Sequence, residues 1–210
     1  MSRKPLLVYT VGHSTLPLAD FIRILAHNEI AALADVRSSP YSGFNPQFNK
    51  EGLGDALSAR SIMYVFLGNE LGARSADPTC YKDGQVQFDR LAETTAFKNG
   101  IERIVKGASR YRIALMCAER DPLECHRTIL VARELEKNGM EIRHILSSGQ
   151  IEPHEDAMDR LIGMHGLDNG DLFRSREEIK NEAFEKQAKV IAYVKPNEFV
   201  EALRTADSQR

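Results

Sequence analysis

The sequence predicts an α/β protein, a Rossmann-like three-layer fold with a mainly parallel sheet flanked by helices. Three observations predict it. Residues 6–11 and 30–36 are apolar, β-rich runs with an amphipathic stretch between them, and a second strand–helix–strand pattern recurs over residues 112–146. A strand, a crossover and another strand joined by short links make the paired strands parallel, with a right-handed crossover. The polar, motif-like segments then fall just after strands, where an open parallel sheet binds its ligands.

Each element has its own signal. The first strand is stopped by Gly12, and Leu18, Phe21, Ile22 and Leu25 follow at helical spacing behind Thr15 and Pro17. Residues 37–49 are rich in Ser, Pro, Gly and Asn and read as a long surface loop. A helix at 51–59 and a short strand at 62–67 come next. Residues 68–86 lack periodicity and read as a second functional loop. Helices are expected at 88–93 and 97–106, then a strand at 112–116. Asp121, Pro122 and Glu124 occupy N-cap, N1 and N3 of a capping box opening a helix to about Asn138, which stops at Gly139. A strand at 142–146 completes the unit. Residues 151–193 read as a helical tail broken at 166–171.

Length and composition fit one domain over residues 1–210, with the helical tail from about residue 151. Hydrophobic residues make up 42% and charged residues 28%, so a packed core is expected. A net charge of −2 supplies no global basic field that would recruit nucleic acid. Three cysteines without paired spacing do not make a disulfide framework. The amino-terminal residues carry no secretory h-region, and no apolar run approaches the roughly 20 residues that span a bilayer. A cytoplasmic protein with reduced thiols and no membrane partner is therefore expected.

Reading off the strand ends gives the candidate site. Gly12, His13 and Ser14 follow the first strand, and Asp35, Arg37 and Ser38 the second. Cys117, Glu119 and Arg120 follow the strand at 112–116, with Cys125, His126 and Arg127 placed in the first turn of the next helix. A helix N-terminus and neighbouring cations favour the thiolate, so Cys117 or Cys125 is a candidate nucleophile and His13 or His126 its base. Glu119 would orient one of them. Both cysteines also fit as small buried hydrophobes, and His13 as a hydrogen-bonded structural residue. Cys80 sits in an irregular loop and reads as incidental.

Arg37, Arg120 and Arg127 fall where free backbone N–H groups already favour an anion, and guanidinium forks suit phosphate or carboxylate. The alternative is an internal ion-pair network with Asp35, Glu119 and Asp121. A Cys-x5-Arg phosphatase loop is absent, because Leu123 stands at the fifth position after Cys117. His13, Cys117, Cys125 and His126 are all zinc-ligand types. Their spacing is not CxxC, however, and adjacent Cys125 and His126 would point different ways along a helix, so no metal or other cofactor is expected.

Five segments together resemble a known bacterial and archaeal family, domain of unknown function 488. They are TVGHS at 10–14, ADVRSSPYS at 34–42, FNPQFNKEGL at 44–53, YVFLGNELGAR at 64–74 and IALMCAERDPLECHR at 113–127. The resemblance runs from about Leu7 to Tyr193. It implies an α/β fold and a cytoplasmic protein, and it supplies no reaction. The resemblance also implies an Arg in many relatives where this chain has Gly43, which leaves Tyr41 and Asn45 as the polar candidates of that loop.

The leading expectation is an enzyme acting on a small phosphate- or carboxylate-bearing substrate. Ser14, Asp35, Arg37, Tyr41, Arg120 and Arg127 would bind it beside the Cys/His/Glu group. The rival is a nucleic-acid binding module, in which the arginines meet phosphates and Tyr41, Phe44 and Phe48 stack on bases. Oligomeric state is left open.

Overall fold

The computed structural model describes residues 5–168 and 173–196. Residues 169–171 of the expected break in the tail lie outside the described residues. Six strands form the main sheet: β1 (Leu7–Gly12), β2 (Ala32–Asp35), β3 (Met63–Phe66), β6 (Ile113–Cys117), β7 (Glu141–Ile145) and β8 (Ile151–Pro153). A separate hairpin pairs β4 (Tyr81–Lys82) with β5 (Gln85–Val86). The order in the sheet is β3-β2-β6-β1-β7-β8, parallel except for β8, which pairs antiparallel with β7.

Both expected crossover units are present, but each straddles a strand of the other. β6 lies between β1 and β2, and β1 lies between β6 and β7. The connection leaving β1 therefore travels one way across the sheet and that leaving β6 travels the other. Between those diverging loops an open sheet forms a crevice. Gly12 and Cys117 face each other in register at the crevice.

Alternate residues along the strands feed two cores. Tyr9, Val11, Leu33, Ala114 and Met116 pack under α1 (Leu18–His27) and α2 (Lys50–Ser58). Val8, Ala32, Ala34, Ile113 and Leu115 pack on the other face, under α5 (Thr95–Ala108), α6 (Arg133–Lys137), α7 (His154–Met164) and α8 (Arg176–Ile191). This is the alternation that a strand covered on both faces requires. Two further short helices, α3 (Gly68–Leu71) and α4 (Phe88–Glu93), complete the described set of α-helices. Among the described residues no helix is long and apolar enough to cross a membrane.

The structure corrects three expectations. Residues 68–86 hold α3, a 3-10 turn Pro78–Cys80 and the β4–β5 hairpin, elements too short for a periodic signal. The tail begins with a strand, β8, rather than a helix. The expected helix from Pro122 to Asn138 is split. Asp121 does cap, accepting from the Leu123 amide at 2.9 Å, but what it caps is a 3-10 turn, Pro122–Glu124. Cys125 is then extended (φ −137°, ψ 139°), and a π-helical stretch Arg127–Ala132 leads into α6.

A buried polar chain ties the second helical layer to the sheet. Thr10 Oγ1 lies 2.8 Å from His144 Nδ1, and His144 Nε2 lies 2.9 Å from His154 Nδ1. His154 Nε2 faces Glu136 at 3.7 Å, and Lys180 Nζ meets Glu136 at 2.6 Å. The His154 ring and the Lys180 ammonium, against the cost of burial, hold the Glu136 carboxyl below its ordinary 4.5 at about 2. A carboxyl depressed on folding stabilises above its unfolded pKa, and that contribution is lost as pH falls through the folded one. Glu136→Gln should therefore lose roughly 1–2 kcal/mol near pH 7, after allowance for solvent screening, and flatten the acid-side decline between pH 4.5 and 2. Urea unfolding across that range checks it; parallel pH profiles for parent and variant would refute it.

Candidate functional site

Asp35 ends β2 fully buried, and its carboxylate is consumed locally. It accepts from the Arg37 amide at 3.1 Å, from Arg37 Nε at 2.9 Å and Nη2 at 2.7 Å, and from the Tyr64 hydroxyl at 2.7 Å. Arg37 Nη2 also donates to the Phe48 carbonyl at 2.9 Å. Thus the internal ion pair weighed for Asp35 and Arg37 is present. Asp121 pairs with Arg160 at 3.1 Å, and Glu119 with a thiol.

His13 follows Gly12 and stacks on Phe48 with ring centroids 4.2 Å apart. Burial, with Arg37 adding its charge, lowers its pKa to about 4, so the ring is neutral at pH 7. Nδ1 lies 2.8 Å from the Ser14 carbonyl, which makes it the N–H donor. Nε2 is left to accept from Arg37 Nη1 at 3.3 Å. Ser14 itself is left-handed (φ 47°), held by its amide on the Ala118 carbonyl at 2.8 Å.

The extended Cys125 changes the picture at the next helix. It lies just ahead of the helix, its carbonyl taking the Thr128 and Ile129 amides, and its sulfur turns back toward Cys117. His126 Nδ1 lies 3.7 Å from Cys117 Sγ and 3.9 Å from Cys125 Sγ. His126 Nε2 sits 2.9 Å from the Val36 carbonyl, so it carries the proton and Nδ1 presents its lone pair to the sulfurs. Cys125 Sγ donates to Glu119 Oε2 at 2.9 Å and receives the Arg127 amide at 3.4 Å. The argument that adjacent Cys125 and His126 diverge is thereby overturned: it assumed a helix that the chain does not make there.

Electrostatics separate the two thiols. The hydrogen bond with Cys125, then burial, raises Cys117 well above the ordinary thiol range. Burial opposes the Cys125 thiolate, but Cys117, Arg127 and His126 outweigh it and bring Cys125 well below that range. Burial also opposes a charged His126, yet the Cys125 sulfur raises it. Loss of water around the Glu119 carboxylate, then Cys125, raises Glu119.

A cavity of about 370 Å³ opens at this edge, walled by His13, Arg37, Tyr41, Cys117, Glu119 and His126. Ser38, Ser39 and Ser42 add hydroxyls, and Arg74 and Tyr193 form part of the rim. Several expected residues stand apart. Asp35 is fully buried and is not on the cavity wall. Arg127 is 1% exposed and donates to the Glu119 and Arg120 carbonyls at 2.8 and 3.1 Å. Ser14, Arg120 and Cys125 are not on its wall, and Cys80 is core. Phe48 is fully buried and cannot stack on a base, whereas Phe44 is 97% exposed. Tyr41 donates to Glu51 Oε1 at 2.7 Å.

Sequence reasoning missed Arg74. Its amide donates to Ser38 Oγ at 3.0 Å, and its guanidinium lies 4.6 Å over the Tyr193 ring. The only signal was its place at the end of the YVFLGNELGAR block, since nothing in local periodicity marks it.

A family model described as domain of unknown function DUF488 matches residues 17–133, spanning α1 through the π-helical stretch and most of the cavity wall. No curated protein and no solved structure matches the chain.

Proposed function

From a chain that belongs to the domain of unknown function DUF488 family, whose description supplies no reaction, we propose an enzyme acting on a small phosphate- or carboxylate-bearing molecule held in the 370 Å³ cavity. One observation carries the reading. Segments more than 100 residues apart meet at the sheet's switch point and put two arginines and a thiol–imidazole–carboxylate group on the lining of one cavity. A core has no need to gather Arg37, Arg74, Cys117, Glu119 and His126 around open space.

The roles divide by position. Arg37 is fixed by Asp35 and His13, and Arg74 by Ser38 and Tyr193, so each meets an anion with little further ordering. Cys117, His126 and Glu119 face the part of the substrate that changes. Nucleic-acid binding finds less support, because Phe48 is in the core and the net charge is −2.

The anion half is tested by thermal denaturation in phosphate, sulfate and citrate. Millimolar phosphate should raise Tm, since a ligand stabilises the state it binds by RT ln(1 + [L]/Kd). Arg74→Ala should keep the parent Tm without anion and lose most of the shift. No shift in the parent with any of the three anions would count decisively against the reading.

A further inference from the structure

We propose that Cys117, Cys125 and His126 form a binding site for a thiophilic divalent cation of the zinc class, with one coordination position open to the cavity. Cys117 Sγ, Cys125 Sγ and His126 Nδ1 are buried and lie within 4.8 Å of one another. Around an ion with metal–sulfur bonds of about 2.3 Å and metal–nitrogen bonds of about 2.0 Å, tetrahedral geometry separates sulfur from nitrogen by roughly 3.5 Å. The two observed sulfur–nitrogen separations, 3.7 and 3.9 Å, are close to that span.

The surroundings are those of a ligand set. The Val36 carbonyl holds the proton on His126 Nε2 and so aims the Nδ1 lone pair at the sulfurs, the outer partner that metal-bound imidazoles use. The Arg127 amide on Cys125 Sγ suits a sulfur that carries charge. Two thiolates balance a divalent ion, and the set of two sulfurs and one nitrogen selects a soft or borderline metal over magnesium or calcium.

Ligation also explains what attack on a substrate does not. Cys125 is 1% exposed and off the cavity wall, so it is poorly placed as a nucleophile, and Cys117 is only 3% exposed. As ligands both sulfurs belong inside. Cys117 and His126 line the cavity, so a position left by three protein ligands would face it, with Glu119 on the same wall. Three protein ligands with one open position is a catalytic rather than a structural arrangement. That last step rests on the cavity being the substrate site; the binding of the ion does not.

The test is cobalt titration of the full-length, reduced, chelator-treated protein, followed by displacement with zinc. One cobalt per chain should give a thiolate-to-cobalt charge-transfer band and the intense visible bands of a tetrahedral site, and zinc should abolish both. Cys117→Ser and Cys125→Ser should each weaken zinc by more than the roughly 10–100-fold that loss of an outer partner costs. Cys80→Ser should bind as the parent does. Should the serine variants fail to fold, the parent's spectrum still decides, because only sulfur ligation gives the charge-transfer band. Absence of that band in the parent, or a band of undiminished intensity in Cys117→Ser at the same cobalt concentration, overturns the site. A missing band beside an intact phosphate shift removes the metal and leaves the anion cavity; the converse removes the anion and leaves the metal.

Discussion

Replacing Asp35 by alanine should destabilise the protein by about 3–5 kcal/mol, because it leaves the Arg37 guanidinium buried and uncompensated. Asp35 is fully buried and Arg37 is 6% exposed, so water cannot take over the lost bonds. The Tyr64 hydroxyl and the Arg37 amide lose an acceptor at the same time. Urea denaturation measures the loss. The double variant Asp35→Ala/Arg37→Ala should recover part of it, since the stranded charge is gone. A cost below about 1 kcal/mol for Asp35→Ala would mean that the pair is solvated, contrary to the burial described. Phosphate should no longer stabilise Asp35→Ala, because Arg37 loses the anchor that aims it.

Gly12→Ala should be comparably severe. A Cβ there would lie 1.8 Å from the Glu119 carbonyl oxygen and 3.1 Å from Arg127 Nη2. The nearer obstacle is backbone, so the 118–121 loop has to move as a unit. It carries the Glu119 and Arg120 carbonyls that accept from Arg127 and the carboxylate that meets Cys125. The cost should be roughly 3 kcal/mol or more, the upper end for overpacking. Gly43→Ala is the control: nothing lies within 4 Å of its Cβ, and a change within about 0.5 kcal/mol is expected. If Gly12→Ala is as mild as Gly43→Ala, the two loops are not locked together.

Strand ends were legible in the sequence because buried parallel strands are continuous apolar runs that stop abruptly at Gly12, Asp35 and Cys117. From those stops, His13, Arg37, Cys117 and Glu119 could be assigned to one edge without coordinates. Burial was harder to read. Arg127 and Phe48 occur in polar segments, yet both are core: Phe48 turns inward onto His13 and Phe21, and Arg127 onto the carbonyls of the 119–120 turn. The capping box at Asp121 was read correctly as a cap and wrongly as the start of a long helix. Side-chain capping satisfies the amides of one turn and says nothing about the next. That local error concealed the convergence of Cys125 and His126. Arg74 was invisible for another reason: its place is set by Ser38 and Tyr193, which only the fold brings near.

The guanidinium of Arg37 has five N–H bonds to give. Nε donates once to Asp35, both hydrogens of Nη2 go to Asp35 and Phe48, and one hydrogen of Nη1 goes to His13. A single hydrogen is left for a guest. Arg37 can therefore touch an anion at one oxygen and cannot grip it as a fork. The second oxygen has to be taken by Arg74 or by the serine hydroxyls that line the same cavity. Recognition at this edge would thus depend on how far apart a molecule holds its negative oxygens, with the head group a lesser matter.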